Sequence, residues 1–238
     1  MQAQAICLLV SRIAKGGTGM VAIAGQMLNL VLEDLKLNRD LKVNRVTQTL
    51  NVQAGSNGPF TLETDYLRTY DLFYPIPSGI GTAGIPQFLH PITMEQYDAE
   101  FKDPGLSEYP YEFATDLSTQ AKTASASKGY LWIYPQANVA LGMTHRYMRD
   151  QPDITNPESS TGTPWFTFTD YLITAAAGRM MGVTGDDRHT EYMAEADKML
   201  RPHLIMEGDE QQTVKTVKLD PRHFRANRAV RVTKHDPF

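Results

Sequence analysis

Met20-Val-Ala-Ile-Ala-Gly-Gln-Met-Leu-Asn-Leu-Val-Leu-Glu-Asp-Leu-Lys-Leu37 is too apolar for an ordinary surface helix. Gln26, Asn29, Glu33 and Lys36 fall on one narrow stripe, and nearly every other position is hydrophobic. A helix with so little polar surface is expected to be wrapped by neighbours on most sides. The chain offers few other helices for that purpose, so contacts between subunits are expected to supply the rest.

Working outward, residues 3–14 read as a short helix that Lys15-Gly16-Gly17 ends, with glycine at the stop. Residues 39–45 form a charged connector, and Val46 to Val52 alternates as a strand. Ala54 to Pro59 is a turn, Phe60 to Leu62 alternates again, and Tyr66 to Ile76 is rich in Tyr, Leu and Phe. Thr93 is placed to cap a helix reaching Phe101, with Gln96 completing a capping box. Residues 118–128 are low in complexity and read as a mobile loop. The clearest hairpin joins Gly129–Tyr134 to Val139–Met148 through Pro135-Gln-Ala-Asn138. Helices follow over Trp165–Met181 and Asp187–Leu204, the second with a stripe of Tyr192, Met193, Ala196, Met199, Leu200 and Leu204.

This order predicts an α+β protein. Helix pairs from the two ends form a four-helix bundle, with an inserted antiparallel β domain and an extended C-terminal arm. The expected divisions are 1–40 for the first helix pair, 41–162 for the β-rich insert, 163–205 for the second pair and 206–238 for the arm.

The arm differs from the body in charge. From Gln211 onward it carries seven cations and two acids, a net of +5, while the 238-residue chain is −4 and residues 1–210 are therefore −9. Arg222, Arg225, Arg228, Arg231 and Lys234 recur every third residue. An extended chain with three residues per turn places them on one side, whereas a helix would spread them and a strand would alternate them. Such a segment neutralises phosphates, with steep salt dependence, or docks on an acidic protein surface. Val214, Val217, Leu219, Phe224, Val230 and Val232 favour docking on protein. The partner-binding residues expected are Lys215, Lys218, Arg222, Phe224, Arg225, Arg228, Arg231 and Lys234.

Chemistry has little support. Gly16-Gly17-Thr18-Gly19 has no preceding strand, and its lysine comes before the glycines, so it reads as a turn and not a phosphate loop. Asp186, Asp187, His189 and Glu191 match the acids expected at a helix start. His145, in a half-buried strand, reads as structural. Cys7 allows no intrachain disulfide and its apolar neighbours suggest burial. No apolar run approaches the ~20 residues that span a bilayer. The expectation is no enzyme, no cofactor, no metal and no membrane, with folding in a reducing cytoplasm.

The order of pieces resembles the head-to-tail adaptor (connector) proteins of tailed double-stranded DNA phages. The likeness runs from Leu131-Trp-Ile-Tyr-Pro135 through His145-Arg-Tyr-Met148, the Pro152-Asp153-Ile154-Thr155 link, Trp165, and the helix pair divided by Asp186-Asp187. Tyr66-Leu67, Phe73-Tyr74-Pro75-Ile76 and Pro91-Ile92-Thr93 match the looser middle, and residues 1–38 the opening helices. The resemblance implies a structural virion protein in the neck between capsid and tail, made in the host cytoplasm. It implies a homo-oligomeric ring, usually of twelve copies, whose arms reach along the portal and whose other face receives the tail nozzle or tube. DNA would pass through without specific binding. The alternative is a sequence-independent nucleic-acid-binding module that uses the basic tail.

Overall fold

The computed structural model describes residues 1–77, 84–100, 107–117 and 128–206. It divides into two compact units: Met1–Leu32 with the described residues from Ile154 onward, and Glu33–Asp153.

In the first unit, α1 (Ala3–Ile13) buries Ala3, Ile6, Cys7 and Val10. Lys15 at φ 55° and Gly17 at φ 61° turn the chain, and the Gly16 N–H donates to the Ser11 carbonyl at 2.8 Å. The helix stops where expected, but the left-handed position directly after it is taken by Lys15 and not by a glycine. Helix α4 (Thr169–Thr184) packs along α5 (His189–Met206) and against α1. Ala175, Ala176, Ala177 and Gly178 are all buried. A Cβ on Gly178 would lie 3.0 Å from Met193 Sδ and 3.2 Å from Tyr192 Cβ, so these small residues allow α5 its close approach. Helix α4 starts later than the sequence suggests. Phe166, 2% exposed, remains outside it and meets the rings of Tyr171 and His203 edge-on at 5.8 and 5.1 Å.

The expected four-helix bundle is not what forms. Helix α2 (Val21–Asn38) runs from the first unit into the second and has no extensive helix partner among the described residues. In the first unit it meets the proline-containing connection that precedes α4. Asn29 donates to the Ile154 carbonyl at 3.1 Å and accepts the Ile154 N–H at 3.2 Å, while a Cβ on Gly25 would lie 2.8 Å from Pro157. Periodicity marks a face as covered without saying what covers it. Here a loop fills part of the place the bundle assigned to helices.

The second unit holds two four-stranded sheets. One has the order β1 (Arg45–Val52), β10 (Leu141–Arg149), β3 (Tyr66–Pro75), β4 (Pro86–Phe88). The other has the order β2 (Phe60–Thr61), β8 (Tyr130–Tyr134), β7 (Glu112–Asp116), β5 (His90–Ile92). A two-residue ribbon pairs β6 (Ser107–Glu108) with β9 (Gln136–Ala137). A single core takes Leu72, Tyr74, Met143 and Tyr147 from the first sheet and Leu131 and Ile133 from the second. The β5–β7 and β6–β9 pairs are parallel, so the unit is not purely antiparallel.

The expected hairpin is also corrected. β8 and β10 do not pair; they belong to different sheets. Both strands point an apolar row at the same core, Leu131 and Ile133 from one and Leu141, Met143 and Tyr147 from the other. The intervening residues therefore carry the chain across that core. The capping box does form at α3 (Met94–Glu100). The Gln96 N–H donates to Thr93 Oγ1 at 3.2 Å and the Thr93 N–H donates to Gln96 Oε1 at 3.1 Å.

Candidate functional site

Lys215, Lys218, Arg222, Phe224, Arg225, Arg228, Arg231 and Lys234 lie outside the described residues, as do 118–127 of the expected loop. Three features of the described residues bear on function: an apolar stripe on α2, a charged cleft in the β unit, and a buried polar cluster on the inward face of β10.

The stripe follows from helical spacing. Ile23, Met27, Leu30, Asp34 and Leu37 repeat at intervals of four and three, which puts them on one side of α2. Ile23 and Met27 are half-buried, and Leu30 and Leu37 remain 43% and 46% exposed. On another side Ala24, Leu28, Val31, Leu32 and Leu35 are at most 2% exposed. The helix thus has one apolar face buried among the described residues and a second, interrupted by Asp34, on which Leu30 and Leu37 stay exposed.

The cleft has a volume of about 400 Å³ and is lined by Glu33, Lys36, Tyr66, Lys128, Asp150 and Asp153, among others. Lys36 Nζ lies 2.8 Å from Asp150 Oδ1 and donates to the Gln151 carbonyl at 3.2 Å. Lys128 Nζ lies 3.0 Å from Asp150 Oδ2. Burial opposes a charge on Asp150, but the hydrogen bonds and positive charges of both lysines outweigh it and hold the carboxyl below its ordinary range. The cleft's best-placed cations are therefore already engaged by a carboxylate.

On the inward face of β10, His145 is 4% exposed and its Nε2 lies 3.0 Å from Thr69 Oγ1 of β3, which also contacts the Tyr66 hydroxyl at 3.0 Å. Burial pushes the His145 pKa down to about 4, so the ring is neutral near pH 7. The Tyr147 hydroxyl donates to Asp65 at 2.9 Å, and burial, with that carboxylate, raises its pKa. The cluster matches the structural histidine expected from sequence. Burial also raises the Cys7 thiol to about 11, with Glu158 adding to the effect, so the thiolate is scarce.

Asp186 grips the guanidinium of Arg188, with Oδ2 to Nη2 at 2.6 Å, and accepts the Arg188 N–H at 3.1 Å. That hydrogen bonding brings its pKa down to about 2. It orders the chain entering α5, the helix-start role read from the sequence. Among the described residues no group of three or more His, Cys, Asp or Glu side chains is placed to hold a metal ion, and no helix is long and apolar enough to cross a membrane.

No protein-family model matches the chain and no curated protein matches it.

Proposed function

We propose that this protein is a structural head-to-tail adaptor of a tailed double-stranded DNA phage. Its copies form a ring, with twelve as the expected number, that joins the portal to the tail nozzle or tube and surrounds the DNA exit channel. The observation that carries the reading is the pair of leucines on the second face of α2, Leu30 and Leu37 on either side of Asp34, which stay 43% and 46% exposed in the isolated chain. Large apolar side chains repeated along one helix face are a surface suited to burial against another subunit.

The charge pattern supports the same reading. An acidic body repels the DNA backbone, which favours passage over binding. The cationic C-terminal segment, with Phe224 among its arginines, suits an acidic protein groove. The test is deletion of 211–238 followed by sedimentation with the portal. Loss of co-sedimentation is expected, and undiminished binding rejects the arm's role. A DNA titration against salt separates the alternative, since a phosphate-binding tail shows a steep loss of affinity with salt.

A further inference from the structure

Sheet edges in folded proteins are normally defended, because an unpaired row of N–H and C=O groups recruits any extended chain. Most described edges of the β unit obey that rule. β2 has two residues, β4 has three and begins with Pro86, and β5 has three with Pro91 at its centre. β1 does not. It runs eight residues, pairs with β10 along its whole length, and has no strand on its other side among the described residues. From Val46 to Val52 it contains no charge, proline or glycine.

Thr47, Thr49 and Asn51 of β1 are exposed, while Val46, Gln48 and Leu50 are half-buried. Val46 and Leu50 pack on the rim of the core. A strand added at this edge would cover their open flanks and pair the free backbone groups at once.

We infer that the outer edge of β1 receives the segment Thr213–Leu219 of a neighbouring copy as an added strand. The inference rests on the ring proposed above. Pairing of β1 with β1 would relate two copies by a two-fold axis and close at a dimer, whereas a ring needs one surface meeting a different one. The other described edges are too short or carry proline, so the donor is sought elsewhere in the chain. Residues 78–83 and 101–106 contain glycine or proline, and 118–127 has no branched apolar residue. Thr213-Val-Lys-Thr-Val-Lys-Leu219 has neither glycine nor proline, and its Thr, Val and Leu content matches that of β1. It begins beyond Met206, where the described chain ends, and belongs to the cationic arm, which the acidic body attracts. Lys215 and Lys218 would keep their ammonium groups at the surface of the added strand. Arg222 to Lys234 would remain free to reach the portal.

The experiment uses the full-length chain with Thr49→Cys combined in turn with Val214→Cys, Thr216→Cys and Val217→Cys, so that register does not decide the result. Opposed residues on paired strands come within disulfide range. Cys7 stays in place because it is fully buried. Each variant is oxidised at high concentration alone and when bound to portal, then run without reductant. A ladder of linked subunits in at least one pair is the expected result. Three results overturn the proposal: a disulfide confined to single chains, a dimer formed equally by Thr49→Cys alone, or no product above that of a Ser160→Cys and Val217→Cys control. Portal co-sedimentation of the same variants reads the adaptor assignment separately. A ladder without portal binding keeps the added strand and rejects the adaptor; portal binding without a ladder rejects the added strand.

Discussion

Lys36, in the last turn of α2, and Asp150, the residue after β10, form an ion pair at 2.8 Å with Lys36 only 11% exposed. Lys128 approaches the second oxygen of the same carboxylate at 3.0 Å. Asp150→Ala leaves two partly buried ammonium groups facing each other. A loss of about 1.5–3 kcal/mol is expected, the range for hydrogen bonds to charged groups, and urea unfolding of both proteins at pH 7 measures it. The folded carboxyl titrates below its unfolded value, so its contribution is present above the unfolded pKa and fades as pH falls through the folded one. The two unfolding curves should therefore converge in acid.

His145 makes an independent pH prediction. Its folded pKa of about 4 lies below the unfolded value of about 6.5, so the unfolded chain binds the extra proton between those limits. Its stability contribution is complete above pH ~6.5 and declines by about 3 kcal/mol as pH approaches 4. Replacing the residue in His145→Gln should flatten stability over that window. An unchanged slope would mean that another group controls it.

Gly178 tests the α4–α5 contact. An ordinary helix interior gains about 1 kcal/mol when alanine replaces glycine. Here the new Cβ would meet Met193 and Tyr192 at 3.0–3.2 Å, which offsets that gain. Gly178→Ala should be near neutral, and Gly178→Val should lose about 1–3 kcal/mol through overpacking and imposed rotamer strain. Thermal and urea unfolding read both.

Leu30→Glu with Leu37→Glu separates folding from assembly. Both positions are exposed within the chain, so stability should change by no more than about 0.5 kcal/mol per site. Ring formation on the portal, followed by sedimentation or particle imaging, should be lost. A variant that still assembles would remove α2 from the subunit contact.

Parts of this fold are legible in the sequence alone. The stop after α1, the Thr93–Gln96 box and the buried stripe of α5 depend on residues three or four apart, whose geometry is set within one turn. Tyr192, Met193, Ala196, Met199, Leu200 and Leu204 are all buried or half-buried, as their spacing implied. His145 and Cys7 were also placed inside correctly. The cleft around Asp150 has no local signal in the sequence. Lys36, Lys128 and Asp150 are far apart along the chain, and nothing local to any of them indicates that they meet.

Amino-acid order alone indicated the long helices and the longer strands, which of their faces turn inward, and how charge is divided between body and C-terminal segment, but not the start of α4 or the short strands β4 to β7. Those properties come from short-range hydrogen bonding, side-chain periodicity and composition. Which strands pair, and what lies over α2, emerged only in three dimensions. β8 and β10 look like neighbours in the chain, yet each fills the shared core from its own sheet, and shape and volume within that core choose among partners that the local pattern leaves equivalent.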